Sequence, residues 1–183
     1  MFEEDFDWSK GGKLPGLTTY PDTPTGCIDN SDFDGNSVRY MWRENGQLFL
    51  YLYYPEKQER CGDYYAMSPT FYFAPGTWYT LTQEVRLNDV GLSDGYIKVW
   101  IDAVLSLSLS NLVLRRSGDL HEDDIKMDCF RGGSDSTWAS PEDAYIYFDE
   151  FKLYGVSACE NTSSFWKHAS NSSHVEQKTH KNH

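Results

Sequence analysis

Long apolar runs are missing from this chain of 183 residues. Nowhere do about 18 apolar residues follow one another, which excludes a hydrophobic membrane-spanning helix. Positive charge is scarce: 16 Lys and Arg stand against 28 Asp and Glu, a formal net charge of −12. Phosphate-binding surfaces need the opposite balance, so nucleic acid is excluded as a partner. Net charge does not describe the local field in a cleft, however, and a few cations in one groove suffice to hold an anionic ligand. Cysteine is sparse too. Cys27, Cys61, Cys129 and Cys159 form no C-x-x-C pair and have no paired histidines beside them, which excludes the common zinc arrangements. In an oxidising compartment the four allow two disulfides in three connectivities, with Cys61 and Cys129 the candidates for free thiols. Met1 leads straight into Phe2-Glu3-Glu4-Asp5, without the basic and apolar regions of a leader. The sequons at Asn161 and Asn171 still point to secretion, so the expectation is an extracellular protein with no signal peptide in this chain.

Amphipathic helical periodicity and internal repeats are also lacking. What the chain has is aromatic, β-prone sequence: hydrophobic residues make up 39% and aromatics 16%, with 13 tyrosines. Such composition suits strands with one packed face and one face free to stack on flat polar rings. Strands are expected over 37–43, 48–54, 70–73, 78–87, 96–105, 125–130 and 144–154, with turn signals at Asn45-Gly46, Pro75-Gly76 and Asp94-Gly95. Many short strands between turns predict an all-β fold, an antiparallel sandwich or jelly roll. One domain is expected over 1–155. From 156 to 183 the composition turns to Ser, Asn, His and Lys, which predicts a polar, disordered tail.

Three segments carry chemistry. Gly11-Gly12-Lys13-Leu14-Pro15-Gly16-Leu17 reads as a loop shaped by its glycines and proline, holding a lysine close to a ligand. In Ser37-Val38-Arg39-Tyr40-Met41-Trp42-Arg43 the alternation of a strand places Ser37, Arg39, Met41 and Arg43 on one face. In Tyr51-Leu52-Tyr53 the two tyrosines share a face. Whether these faces coincide depends on the turn between them. A two-residue Asn45-Gly46 turn pairs Arg39 with Leu52 and sends the tyrosines to the other side. A three-residue turn, Glu44-Asn45-Gly46 with Gly46 left-handed, pairs Arg39 with Tyr51 and Ser37 with Tyr53. The second is expected, because it alone gathers serine, arginine and both tyrosines.

In order and spacing these motifs resemble the active-site signature of the family-14 polysaccharide lyases, which include alginate lyases of marine molluscs and chlorella viruses. The resemblance runs on through Trp78, Val85-Arg86-Leu87-Asn88, Asp94-Gly95-Tyr96 to Asp102, and Gly132-Gly133-Ser134 to Tyr154. It implies a concanavalin-like β-jelly roll, here lacking N-terminal strands, and cleavage of uronic-acid polymers (alginate or glucuronan) by β-elimination. Carried over position by position, it implies Lys13, Arg39, Tyr51 and Tyr53 as catalytic residues and Ser37 as a substrate-binding one. Arg43, on the same strand face, is added as substrate-binding.

The residue types suit that chemistry. Elimination removes the C5 proton of a uronate and expels the C4 oxygen, so the carboxylate must be neutralised. Lys13 and Arg39 are read in that role, with Ser37 donating a further hydrogen bond. Tyr53 is favoured as base, its phenolate assisted by the nearby cations, while Tyr51 positions the sugar or shares the work. No metal and no cofactor is expected, and the partner is an acidic polysaccharide met by a monomer, with no membrane. The rivals are a non-catalytic carbohydrate-binding module on the same scaffold and a truncated, inactive paralogue.

Overall fold

The computed structural model describes residues 1–133, 135–140, 142–155 and 175–179. Eleven strands are found among them: β1 Gly12–Tyr20, β2 Ser37–Trp42, β3 Leu48–Tyr53, β4 Asp63–Ala66, β5 Leu81–Arg86, β6 Gly95–Ile101, β7 Val104–Leu112, β8 His121–Lys126, β9 Phe130–Arg131, β10 Ala144–Phe148 and β11 Val175–Thr179. Every pairing is antiparallel. The largest sheet runs β4-β3-β2-β1-β8, with β9 continuing the β8 side of β1; β5-β6-β7 and β10-β11 form two smaller sheets. The fold is an all-β jelly roll. Of the expected tail, all but Val175–Thr179 lies outside the described residues, as do both sequons, and that segment is a strand paired with β10.

Alternation builds the core. Val38, Tyr40 and Trp42 of β2 and Leu48, Leu50 and Leu52 of β3 point inward, as do Ile97, Val99 and Ile101 of β6, and all are buried. Two sheets facing each other with such inner rows bury a layer of apolar side chains roughly 10 Å thick. The chain's start seals one end: Phe2 meets Phe6, Trp42 and Phe73 with ring centroids 4.8, 5.6 and 5.0 Å away.

Several elements differ from the sequence expectation, each for a local reason. The stretch 96–105 is not one strand: Asp102 and Ala103, at φ of 47° and 66°, turn the chain back into β7. Residues 70–73 form no strand, and only Tyr72 makes an isolated bridge, to Gln47. The glycine-rich lysine segment is not a loop but the start of β1. Between Lys13↔Met41 and Gly16↔Arg39, β1 advances three residues while β2 advances two. That one extra residue is a β-bulge, the place where a strand tolerates a proline without an N–H to give. It also keeps Lys13, Gly16 and Thr18 on the same face while Leu14, 3% exposed, enters the core. Cys61 is not free: it is bonded to Cys27. Cys129 is a free thiol, and burial pushes it up to about 12, which makes it inert.

Candidate functional site

The turn between β2 and β3 decides what the large sheet presents. Glu44, Asn45 and Gly46 form it, closed by the Arg43 N–H donating to Gln47 O at 2.9 Å and the Gly46 N–H donating to Arg43 O at 3.1 Å. Asn45 and Gly46 both take left-handed backbone, φ 60° and 76°. The resulting register pairs Arg39 with Tyr51 and Ser37 with Tyr53, that of the three-residue turn. Adding β1, β4 and β8 gives three rows across the face away from the core: Phe130-Lys13-Met41-Phe49, then Lys126-Gly16-Arg39-Tyr51-Tyr64, then Asp124-Thr18-Ser37-Tyr53.

Lys13, Arg39, Tyr51 and Tyr53 are thus brought together. The Lys13 ammonium lies 3.9 Å from the centroid of the Tyr51 ring and 3.8 Å from Met41 Sδ. The two phenol oxygens are 3.0 Å apart, and the Gly62 N–H donates to Tyr51 Oη at 3.0 Å. Arg39 lies 5.9 Å from the Tyr51 ring and 3.7 Å from Asp128, which also pairs with Lys126 at 3.2 Å. Arg43 approaches from the turn, its guanidinium 4.6 Å over the ring of Tyr64, which stacks on Tyr51 at 5.0 Å. Ser37 is brought into the row but fully covered, and among the described residues its hydroxyl finds no hydrogen-bond partner. Arg39, Tyr51 and Tyr53 are covered nearly as well, at 3%, 4% and 2% exposed.

Burial governs the electrostatics. Desolvation, reinforced by Arg39 and Arg43, pushes Lys13 down to about 7. Tyr51 moves the other way, up to about 12: desolvation leads, the hydrogen bond with Tyr53 adds to it, and the Gly62 amide opposes it. Desolvation also lowers Arg39, against the raising effect of Tyr53, Asp128 and Tyr51. The phenolate expected from nearby cations is not favoured at Tyr51, where burial leads and holds the proton.

Sequence reasoning missed Gly62, Tyr64, Lys126 and Asp128. Gly62 is placed by the Cys27–Cys61 disulfide beside it, and a side chain there would stand 2.7 Å from Tyr51 Cε2 and 3.0 Å from Tyr53 Cε2. Nothing in the local sequence signals that contact. Tyr64 and Asp128 were legible only once the partners of β3 and β1 were known. Among the described residues no three His, Cys, Asp or Glu side chains converge as metal ligands do.

Fold and face together define a jelly roll with one cationic, tyrosine-bearing sheet surface. The polysaccharide lyase 14 family model matches residues 1–151, and the chain belongs to that family. Among solved structures it is similar to the marine family-14 alginate lyase of Aplysia kurodai, with 28% identity, a TM-score of 0.62, and coverage of 78% of this chain and 62% of that one. It also resembles a mutant of the alginate lyase Aly36B in complex with alginate tetrasaccharide: 25% identity, TM-score 0.67, coverage 78% and 61%. The Chlorella virus alginate lyase vAL-1, at 22% identity, TM-score 0.57 and coverage of 72% and 59%, shares the fold. The chain thus spans about three fifths of the length of these structures. No curated protein matches it significantly.

Proposed function

We propose that the chain is a polysaccharide lyase that cleaves a uronic-acid polymer, alginate or a glucuronan, by β-elimination. The observation that carries this reading is the Lys13 amine, brought to about 7 over the Tyr51 ring on a face that also holds Arg39 and Tyr53. Arg39 and the neighbouring Lys126 supply the positive charge that a uronate carboxylate needs. With that charge neutralised, the C5 proton becomes acidic enough to remove.

The base is Lys13, since an amine at about 7 is neutral over the upper half of the physiological range. This reading puts the base at Lys13 in place of Tyr53, the tyrosine favoured from the sequence, and leaves Tyr51, pushed up to about 12, with its proton to give. The C5–H electrons form the C4=C5 double bond, the C4–O bond breaks, and the leaving oxygen takes a proton from the Tyr51–Tyr53 pair. The pair recovers its proton from solvent, and Lys13 loses the one it took. Arg43 binds a carboxylate at the edge of this site, and Ser37 lies on the same face, across from Tyr53. All these groups come from one chain, so a monomer suffices. The Cys27–Cys61 disulfide supports action in an oxidising, extracellular setting.

The test is the ultraviolet absorbance of unsaturated uronate during incubation with alginate, polymannuronate, polyguluronate and glucuronan in turn. Lys13→Ala and Tyr53→Phe run beside the wild type. A rise that both substitutions abolish while the fold is retained supports the lyase and names its substrate. Binding without any rise would replace it with the carbohydrate-binding reading.

A further inference from the structure

Asp128 is an anion set among the cations of the proposed site, and the reaction as written gives it no task. It lies on the connection between β8, which ends at Lys126, and β9, which begins at Phe130. Its Oδ2 atom stands 3.2 Å from the Lys126 ammonium and 3.7 Å from Nη1 of Arg39. One oxygen therefore serves both cations. Cover differs across the group: the Arg39 side chain is buried, while that of Lys126 is 25% exposed and that of Asp128 45%. The anion is the outermost of the three.

Lys126 and Arg39 are the cations that a uronate needs. They share a row of the sheet, and Gly16, the residue between them, brings no side chain to separate them. Buried Arg39 needs a counter-charge in the free protein, because a lone cation out of water is costly. Asp128 supplies it, but incompletely. At 3.7 Å the contact is an ion pair beyond hydrogen-bond length, and the buried Nε of Arg39 finds no hydrogen-bond partner among the described residues. A uronate carboxylate has two oxygens, enough to serve each cation with its own. It cannot do so while Asp128 stays in place, since two carboxylates side by side repel each other.

We propose that Asp128 is a specificity-determining residue that holds the place of the substrate's carboxylate, bridging Arg39 and Lys126 in the free enzyme and giving them up to a uronate. The proposal rests on the lyase reading and deepens it. Binding an acidic sugar then exchanges one ion pair for another. A neutral sugar offers nothing in exchange and leaves the bridge closed. The site thus selects acidic sugars without the tight hold on anions that two unpaired cations would give, and an anionic product leaves readily.

The experiment measures calorimetric affinity and steady-state kinetics for wild type and Asp128→Asn with tetramannuronate and tetraglucuronate. Their carboxyl-reduced, neutral counterparts are the controls. Asparagine keeps the shape of the side chain and removes its charge. The variant binds the acidic tetramer about tenfold more tightly than wild type does, and the neutral ones no better. KM falls by the same factor with kcat unchanged, since ground state and transition state gain alike. Were Asp128 there to position Arg39, the variant would bind more weakly and turn over more slowly. Either of those results, or unchanged affinity, overturns the proposal. Asp124→Asn removes the same charge from the same face, one row away and outside the bridge. It leaves affinity near that of wild type; a gain equal to that of Asp128→Asn would assign the effect to net charge and overturn the proposal too. Asp128→Ala, which also lacks the charge, repeats the gain, and circular dichroism confirms that each variant is folded. Turnover with equal affinities keeps the lyase and removes this role of Asp128. Tighter binding by the variant with no turnover in either protein does the reverse.

Discussion

Lys13 is a cationic residue type placed where a cation is costly. Its folded amine is held at about 7 against an ordinary value of 10.5, so between those pH values the unfolded chain binds a proton that the folded one does not. Stability therefore rises as pH increases from about 7 towards 10.5, and the full cost is present below about 7. Lys13→Met should raise the melting temperature at pH 6 and remove this rise, while abolishing turnover; thermal melts across pH check it. The kinetic counterpart is a kcat/KM that climbs as pH passes about 7, where the amine becomes neutral. Lys13→Arg, always protonated, should lower it by roughly 10²–10⁴-fold, the usual worth of a general base. A wild-type profile flat from pH 5 to 9 would contradict the assignment. Gly62→Ala belongs to the same scale. Its methyl group would push into Tyr51 and Tyr53, at a cost of about 1–3 kcal/mol in stability. It should lower kcat more than it raises KM, since it displaces the proton donors while leaving Arg39 and Arg43 in place. Steady-state kinetics with a denaturation curve would show both.

Among the elements, the β2–β3 hairpin carries most of the site, and it was legible because strand alternation and turn length are local rules. Alternation put Ser37 with Arg39 and Tyr51 with Tyr53, and the three-residue turn, chosen because it gathers all four, is the one whose register is found. Deleting Asn45 should leave a two-residue turn and flip Tyr51 and Tyr53 towards the core. The outcome expected is loss of activity with a large loss of stability, read by turnover and urea unfolding. The lysine strand was less legible. A bulge is a relation between two strands, so Gly12–Tyr20 looked like a loop until β2 and β8 stood on either side of it. The Asp102–Ala103 turn was missed for a different reason: neither residue is a glycine, yet both adopt left-handed backbone. Asp102 helps by accepting the Thr80 N–H at 2.8 Å through its carboxylate.

Over the whole molecule, the fold class followed from composition and turn spacing, whereas the long-range links did not. The Cys27–Cys61 bond joins two loops that no local pattern pairs, and Arg116 ties the same region by donating to the carbonyls of Asn30, Phe33 and Pro55. Replacing both cysteines with serine should cost about 2–4 kcal/mol. It should also reduce turnover by freeing Gly62 from the tyrosine pair. Calorimetric unfolding and activity with and without reductant test the two effects separately, and unchanged activity in the reduced, folded enzyme would separate the loop from the chemistry.

The position of β1 has a consequence for how the molecule comes into being. The strand bearing Lys13 is synthesised well before β8 and β9, yet it lies between β2 on one edge and β8 and β9 on the other. It must wait, half-paired, until β8 and β9 have left the ribosome. Pairing between distant segments is slow to form, and an unpaired edge is open to the wrong partner in the meantime. The interval before β8 arrives is therefore when the nascent chain is most exposed to aggregation, and the basic end of the active face is the last part to close.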